Sequence, residues 1–161
     1  DAQESRGLGD VYKRQFLRRP ADQPPVRFYE RLEPAVFVLR LVPGMRADII
    51  PLLAPHYRAL VLESFGVGGL PGGEHGEMFA ALRRWCESGR LAVFTTQVPH
   101  EGCDLAVYEV GRAVGELPGV LEARDMTPEA VAVKLMWALG QTEDREKAAR
   151  LFETPIEYDI M

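Results

Sequence analysis

Cysteine is scarce in this 161-residue chain, which holds only Cys86 and Cys103. Two thiols are too few for a disulfide framework and lack the paired spacing of a zinc site, so both are read as free, in a reducing compartment. Long apolar runs are missing as well. No stretch reaches the roughly 18 residues that span a bilayer, and the N-terminus has no charged-then-apolar signal pattern. Neither a membrane span nor secretion is expected, which makes the cytoplasm the default location. Basic charge is in deficit, with 19 Lys and Arg against 24 Asp and Glu and a net charge of -5. That balance provides no broad positive surface and argues against nucleic-acid and membrane partners. What is present is 47% hydrophobic and 27% charged residues, enough to build the core of one globular domain.

The beginning of the chain reads differently from the rest. Ser5 to Gln15, SRGLGDVYKRQ, resembles the in-frame translation of a sequencing adapter over eleven consecutive residues, and such scars are set aside before fold reasoning. Residues 16–33 are rich in Pro and Arg with little periodicity, which suits an interdomain linker. The expected organisation is therefore an adapter-like segment over 1–15, a linker remnant over 16–33 and one domain over 34–161. The natural polypeptide is expected to begin further upstream.

Within that domain, Ala35 to Leu41 (AVFVLRL) is an apolar, β-branched run closed by Pro43-Gly44, the pattern of a buried parallel strand. Asp48 to Ala54 offers a short helix limited by Pro51. A second strand, Ala59 to Glu63, runs into FGVGGLPGG. A helix over Gly76 to Ser88 then places Met78, Phe79, Leu82 and Trp85 or Cys86 on one face, so Cys86 reads as core. Gly89 ends it, and Leu91 to Thr96 is a third strand. A helix over Leu105 to Leu117, a brief strand over Val120 to Ala123, and a helix over Thr127 to Leu139 follow. The last opens with an N-cap Thr before Pro and is apolar on several faces, so burial is expected. A helix over Glu143 to Phe152 closes the series with a solvated, charged face. Strands alternating with helices predict an α/β, Rossmann-like fold, with about four mostly parallel strands and helices on both faces.

Ligands gather at the C-terminal ends of the strands in such sheets. Three loops would meet there: Glu63 to Pro71, Thr95 to Gly102, and Arg124 to Thr127. A dinucleotide reading of the glycine loop fails. Counting from Gly66, the third glycine of G-x-G-x-x-G falls on Pro71, and no acidic residue ends a strand about 20 residues on, where a ribose partner belongs. The plainer alternative is a tight turn whose glycines supply positive φ or close approach. His100 and Glu101 could pair, although an exposed turn after Pro99 is the simpler reading. Asp125 and Thr127 read as helix caps, Gln97 as a hydrogen bond that organises the loops, and His75 as solvent-exposed.

FGVGGLP beside TTQV, then YEVG at Tyr108 to Gly111, then DMTPEAVAVKLMWALG, in this order and spacing, resemble the C-terminal domain of the asparaginase/glutaminase family, type I L-asparaginases in particular. The resemblance covers about Ala35 to Phe152. It implies a two-domain enzyme that hydrolyses L-asparagine to aspartate and ammonia. Its nucleophilic threonine, second threonine, aspartate and lysine lie in an N-terminal domain, so no catalytic residue is expected in this stretch, which alone should be inactive. No metal or organic cofactor is implied. The implied partners are the chain's own N-terminal domain and further copies in a homo-oligomer, since a neighbouring subunit helps close the site. Gly66, Gly68, Gly69 and Gln97 would lie near the substrate or the subunit boundary. Some relatives place Asn at the position of Gly69, which has no amide to offer. Some type I enzymes bind an activating asparagine through an Arg and a Cys that align with Glu63 and Val98. A carboxylate at Glu63 would repel the ligand's own, so that site is expected to be absent or altered. The alternative reading is a free-standing amino-acid-binding module without catalysis.

Overall fold

A computed structural model of the chain describes residues 27–66, 68–72, 75–98, 102–156 and 159–160. The adapter-like segment, most of the linker, Val67, His100 and Glu101 lie outside the described residues. Four strands, β1 (Val36–Arg40), β2 (Ala59–Ser64), β3 (Leu91–Thr96) and β4 (Val120–Glu122), form one sheet in the order β1-β2-β3-β4. Every pairing is parallel. The helices are α1 (Ile49–Leu53), α2 (Glu77–Glu87), α3 (Glu109–Gly115), α4 (Pro128–Gln141) and α5 (Arg145–Glu153).

Strand order decides where the helices go. Crossovers between parallel strands are right-handed in nearly all proteins. A sheet that steps in one direction from β1 to β4 therefore sends α1, α2 and α3 to the same face. One core cluster joins Ile50, Met78, Leu82, Trp85 and Val114 of these helices to Leu39, Leu60, Leu62 and Phe94 of the sheet. The other face is left to the chain after β4. There α4 and α5 bring Val131, Leu135, Leu139 and Phe152 against Val36, Val61, Val93 and Leu121. Strands β2 and β3 are sandwiched, which accounts for their unbroken apolar runs.

Local chemistry sets the element ends. Gly89 adopts φ +88, and its N–H caps the Cys86 carbonyl, ending α2. Thr127 caps α4 by accepting from Ala130 N, with Pro128 as the first helical residue. The third helix begins four residues later than its apolar pattern predicts, at Glu109. Asp104 accepts the Ala106 N–H through its side chain, and this local turn takes up the backbone that would have opened the helix. The fourth helix buries Val131, Lys134, Leu135, Ala138 and Leu139 but leaves Val133 58% exposed, so its apolar residues do not all reach the core.

The end of the expected linker is held firmly. Glu33 N–H donates to the Met136 carbonyl, and the Glu33 carboxylate takes Ala35 N–H and Arg58. Among the described residues, no helix is long and apolar enough to cross a membrane.

Candidate functional site

The three distinctive loops leave the C-terminal edge of the sheet, where Gln97 ties together the ends of the first three strands. Its Nε2 donates to the Leu41 carbonyl at 2.6 Å and to the Glu63 carbonyl at 2.8 Å, joining the ends of β1, β2 and β3. Its own N–H donates to Ser64 O. The hydroxyls nearby face inward. Ser64 Oγ donates to the Thr95 carbonyl, and Thr96 Oγ1 donates to Gly66 O while accepting Val98 N–H. Thr95 Oγ1 is fully buried with no hydrogen-bond partner among the described residues.

Side-chain alternation divides this edge in two. Arg40, Glu63 and Thr95 are in register across three strands and point to the face that carries α4. Arg40 Nη1 lies 3.6 Å from Glu63 Oε2. Beside them is a recess of about 280 Å³ lined by Arg40, Glu63, Gln97, Val98, Asp125 and Thr127. The glycine loop turns to the other face. Gly66, Gly69, Phe65, Leu70, Tyr108 and Val110 line a shallow apolar dish of about 520 Å³. The residues singled out in the sequence thus fall into two depressions: Gln97, the activator positions Glu63 and Val98 and the expected caps Asp125 and Thr127 line one, and Gly66 and Gly69 line the other.

Two glycines fix the loop's shape. Gly66 has φ +60, in the left-handed region that side chains avoid. Gly69 N–H donates to the Phe65 carbonyl at 2.9 Å, and a Cβ there would meet the Phe65 ring at 2.6 Å. Gly68 packs against Leu105. Across the edge, Arg124 holds φ 53, and its carbonyl accepts the Cys103 N–H at 2.7 Å. This contact ties the loop after β3 to the loop after β4.

Neither thiol is a ready nucleophile. Burial pushes Cys86 up to about 11 and Cys103 up to about 12, so both stay protonated near neutral pH. Among the described residues, no cluster of His, Cys, Asp or Glu could hold a metal ion. His75 is exposed. Sequence reasoning missed Arg40 and Thr95. Their signal was the strand register, which becomes visible only once the strands are paired.

Residues 35–152 match the family of the glutaminase/asparaginase C-terminal domain. An L-asparaginase of Thermococcus kodakarensis is 38% identical over 133 residues, covering 83% of this chain and 40% of that protein. A subunit of the glutamyl-tRNA(Gln) amidotransferase of Metallosphaera sedula is 34% identical over 145 residues, covering 89% of this chain and 31% of that protein. Among solved structures, the thermostable L-asparaginase from Thermococcus kodakarensis superposes with a TM-score of 0.74 at 35% identity, covering 88% of this chain and 44% of the other. The chain thus spans well under half the length of these relatives.

Proposed function

Because the chain belongs to the glutaminase/asparaginase C-terminal domain family, we propose that it is the supporting domain of a cytoplasmic L-asparaginase, converting L-asparagine and water to L-aspartate and ammonia. The 38% identity to an L-asparaginase across 83% of the chain carries this reading. In this reading the nucleophile lies in a catalytic domain outside residues 35–152, as the family resemblance implies. The hydroxyls of Ser64 and Thr96 donate to backbone carbonyls, and the thiols are buried and protonated, which supports a supporting role for this part. No cofactor enters the reaction. Tyr108 is half exposed in the apolar dish beside the glycine loop, a surface suited to contact with the catalytic domain or a second copy.

The recess at Glu63 and Val98 is an altered activator site in this reading. Glu63 places a carboxylate at its wall, and the neighbouring guanidinium of Arg40 is drawn towards that carboxylate rather than left for a ligand. L-Asparagine titrated calorimetrically into the chain should give no saturable micromolar response. Such a response would contradict the altered activator site.

The main test joins the chain to the unmatched N-terminal part of the Thermococcus kodakarensis L-asparaginase and follows ammonia release. The chain alone should release none and the joined protein should act on L-asparagine. Ammonia at an enzymatic rate from the chain alone would sink the proposal. A second reading, as part of a glutamyl-tRNA(Gln) amidotransferase, rests on the 34% identity over 89% of the chain. It is favoured if the same segment restores activity only when joined to the remaining part of the Metallosphaera sedula protein.

A further inference from the structure

The opposite edge of the sheet, where the strands begin, has its own concavity. Three connections meet there: the turn from α1 into β2, the turn from α2 into β3, and the link between α4 and α5. They enclose a recess of about 330 Å³ whose lining includes His56, Arg58, Arg90, Glu143 and Arg145. None of these residues takes part in the C-terminal edge described above.

The three guanidiniums differ in how they are neutralised. Arg58 is held between two carboxylates, Glu33 at 3.0 Å and Glu143 at 2.8 Å. Arg90 meets only neutral acceptors. It donates to Tyr57 O at 3.2 Å, to Ala54 O at 2.8 Å and to the Ser88 hydroxyl, and it lies 5.2 Å over the Trp85 ring. Arg145 donates from Nη1 to the Cys86 carbonyl at 3.1 Å, and its stem lies against Gly119, 3.6 Å from where a Cβ would sit. Neither Arg90 nor Arg145 has a carboxylate partner among the described residues. On a chain with a net charge of -5, two such cations facing one recess stand out.

We propose that this recess is an oxyanion site, built on Arg90 and Arg145 and taking a phosphate-type group. The guanidinium fork matches the oxygens of phosphate, and it binds more strongly when already held in place. Both side chains are fixed here by carbonyls at or just after the C-termini of α1 and α2, so a ligand would not have to order them. Arg145 keeps its Nε and Nη2 for a ligand, while Arg90, whose Nε, Nη1 and Nη2 each already donate within the protein, adds uncompensated positive charge beside it. Glu143 is the opposing charge. Its side chain is 90% exposed, so it can swing into water, leaving Arg58 paired with Glu33 alone. The site is independent of the asparaginase reading.

The test is titration of the whole chain with inorganic phosphate at constant ionic strength, with chloride as the control anion, followed by calorimetry. Saturable binding with a Kd of about 10 mM or tighter is expected. The substitution Arg145→Gln should weaken it by about fivefold or more, while Glu143→Gln, which removes the repelling charge, should tighten it by about twofold or more. Thermal melts of each variant without phosphate check that the fold survives. Binding no stronger than chloride, or an affinity unchanged in both variants, overturns the proposal.

Discussion

At Gln97 a single side-chain amide donates to two carbonyls at strand ends, Leu41 O and Glu63 O, the second of which also accepts the Leu41 N–H. Replacing it with Leu keeps the volume and removes both donors. We expect Gln97→Leu to cost about 1–3 kcal/mol, the usual range when a partly buried acceptor, here Leu41 O, loses its partner. Urea denaturation should show a lower midpoint at unchanged slope, and an unaltered midpoint would show that water replaces the amide. Gly69 offers a second test at the same scale. Its Cβ position lies 2.6 Å from the Phe65 ring and 2.8 Å from the Phe65 carbonyl oxygen, so Gly69→Asn forces the ring aside and strains the loop. A loss of about 1–3 kcal/mol is expected, as for other overpacked positions, and Phe65→Ala in the same chain should recover part of it in thermal melts. The glycine was legible in the sequence as a turn residue. The ring that closes it was not, because Phe65 reads simply as an apolar residue following a strand.

Among the elements, α4 departs furthest from its sequence pattern. A Lys in an apolar helix reads as a solvent-facing position, yet the Lys134 side chain is only 5% exposed. Its ammonium pairs with Asp159 at 2.8 Å, donates to the Thr154 carbonyl at 2.9 Å and lies 5.8 Å over the Phe152 ring. This clasp fastens the tail after α5 onto α4, where Ile160 is also buried. Removing one member of a buried pair leaves the other charge uncompensated, which typically costs about 3–5 kcal/mol. Lys134→Met should fall towards that range, reduced because Asp159 is partly exposed. Lys134→Met combined with Asp159→Asn should be less destabilised than the sum of the two single variants in a double-mutant cycle. Additive losses would show that the contact contributes nothing of its own. The β-branched runs and glycine stops made the four strands legible. The late start of α3 and the clasp were not, since each depends on a polar side chain choosing a particular partner.

For the whole molecule, the boundary of the folded unit is the property that sequence pattern defines least well. Residues before Pro34 carry no apolar period and read as linker, yet Arg31 O accepts the Gln141 amide. The Gly140 Cβ position lies 2.6 Å from that same carbonyl oxygen, so only glycine lets α4 approach it. Glu33 adds a backbone bond to Met136 and the ion pair with Arg58. A chain starting at Arg31 should therefore melt within about 2 °C of the full chain, whereas one starting at Pro34 should lose about 1–3 kcal/mol through the vacated hydrogen bonds. The deficit should depend on pH. The Ala35 N–H, and then Arg58, hold the Glu33 carboxyl below its ordinary value. A depressed carboxylate stabilises the fold fully above its unfolded pKa, near pH 4.3, and loses that contribution as pH falls through the lower folded value. The difference between the two truncated chains should thus be largest near neutral pH and narrow below about pH 4. Equal stability of the two at pH 7 would place the start of the folded unit at Pro34 and remove Glu33 from the set of residues that hold the sheet to α4.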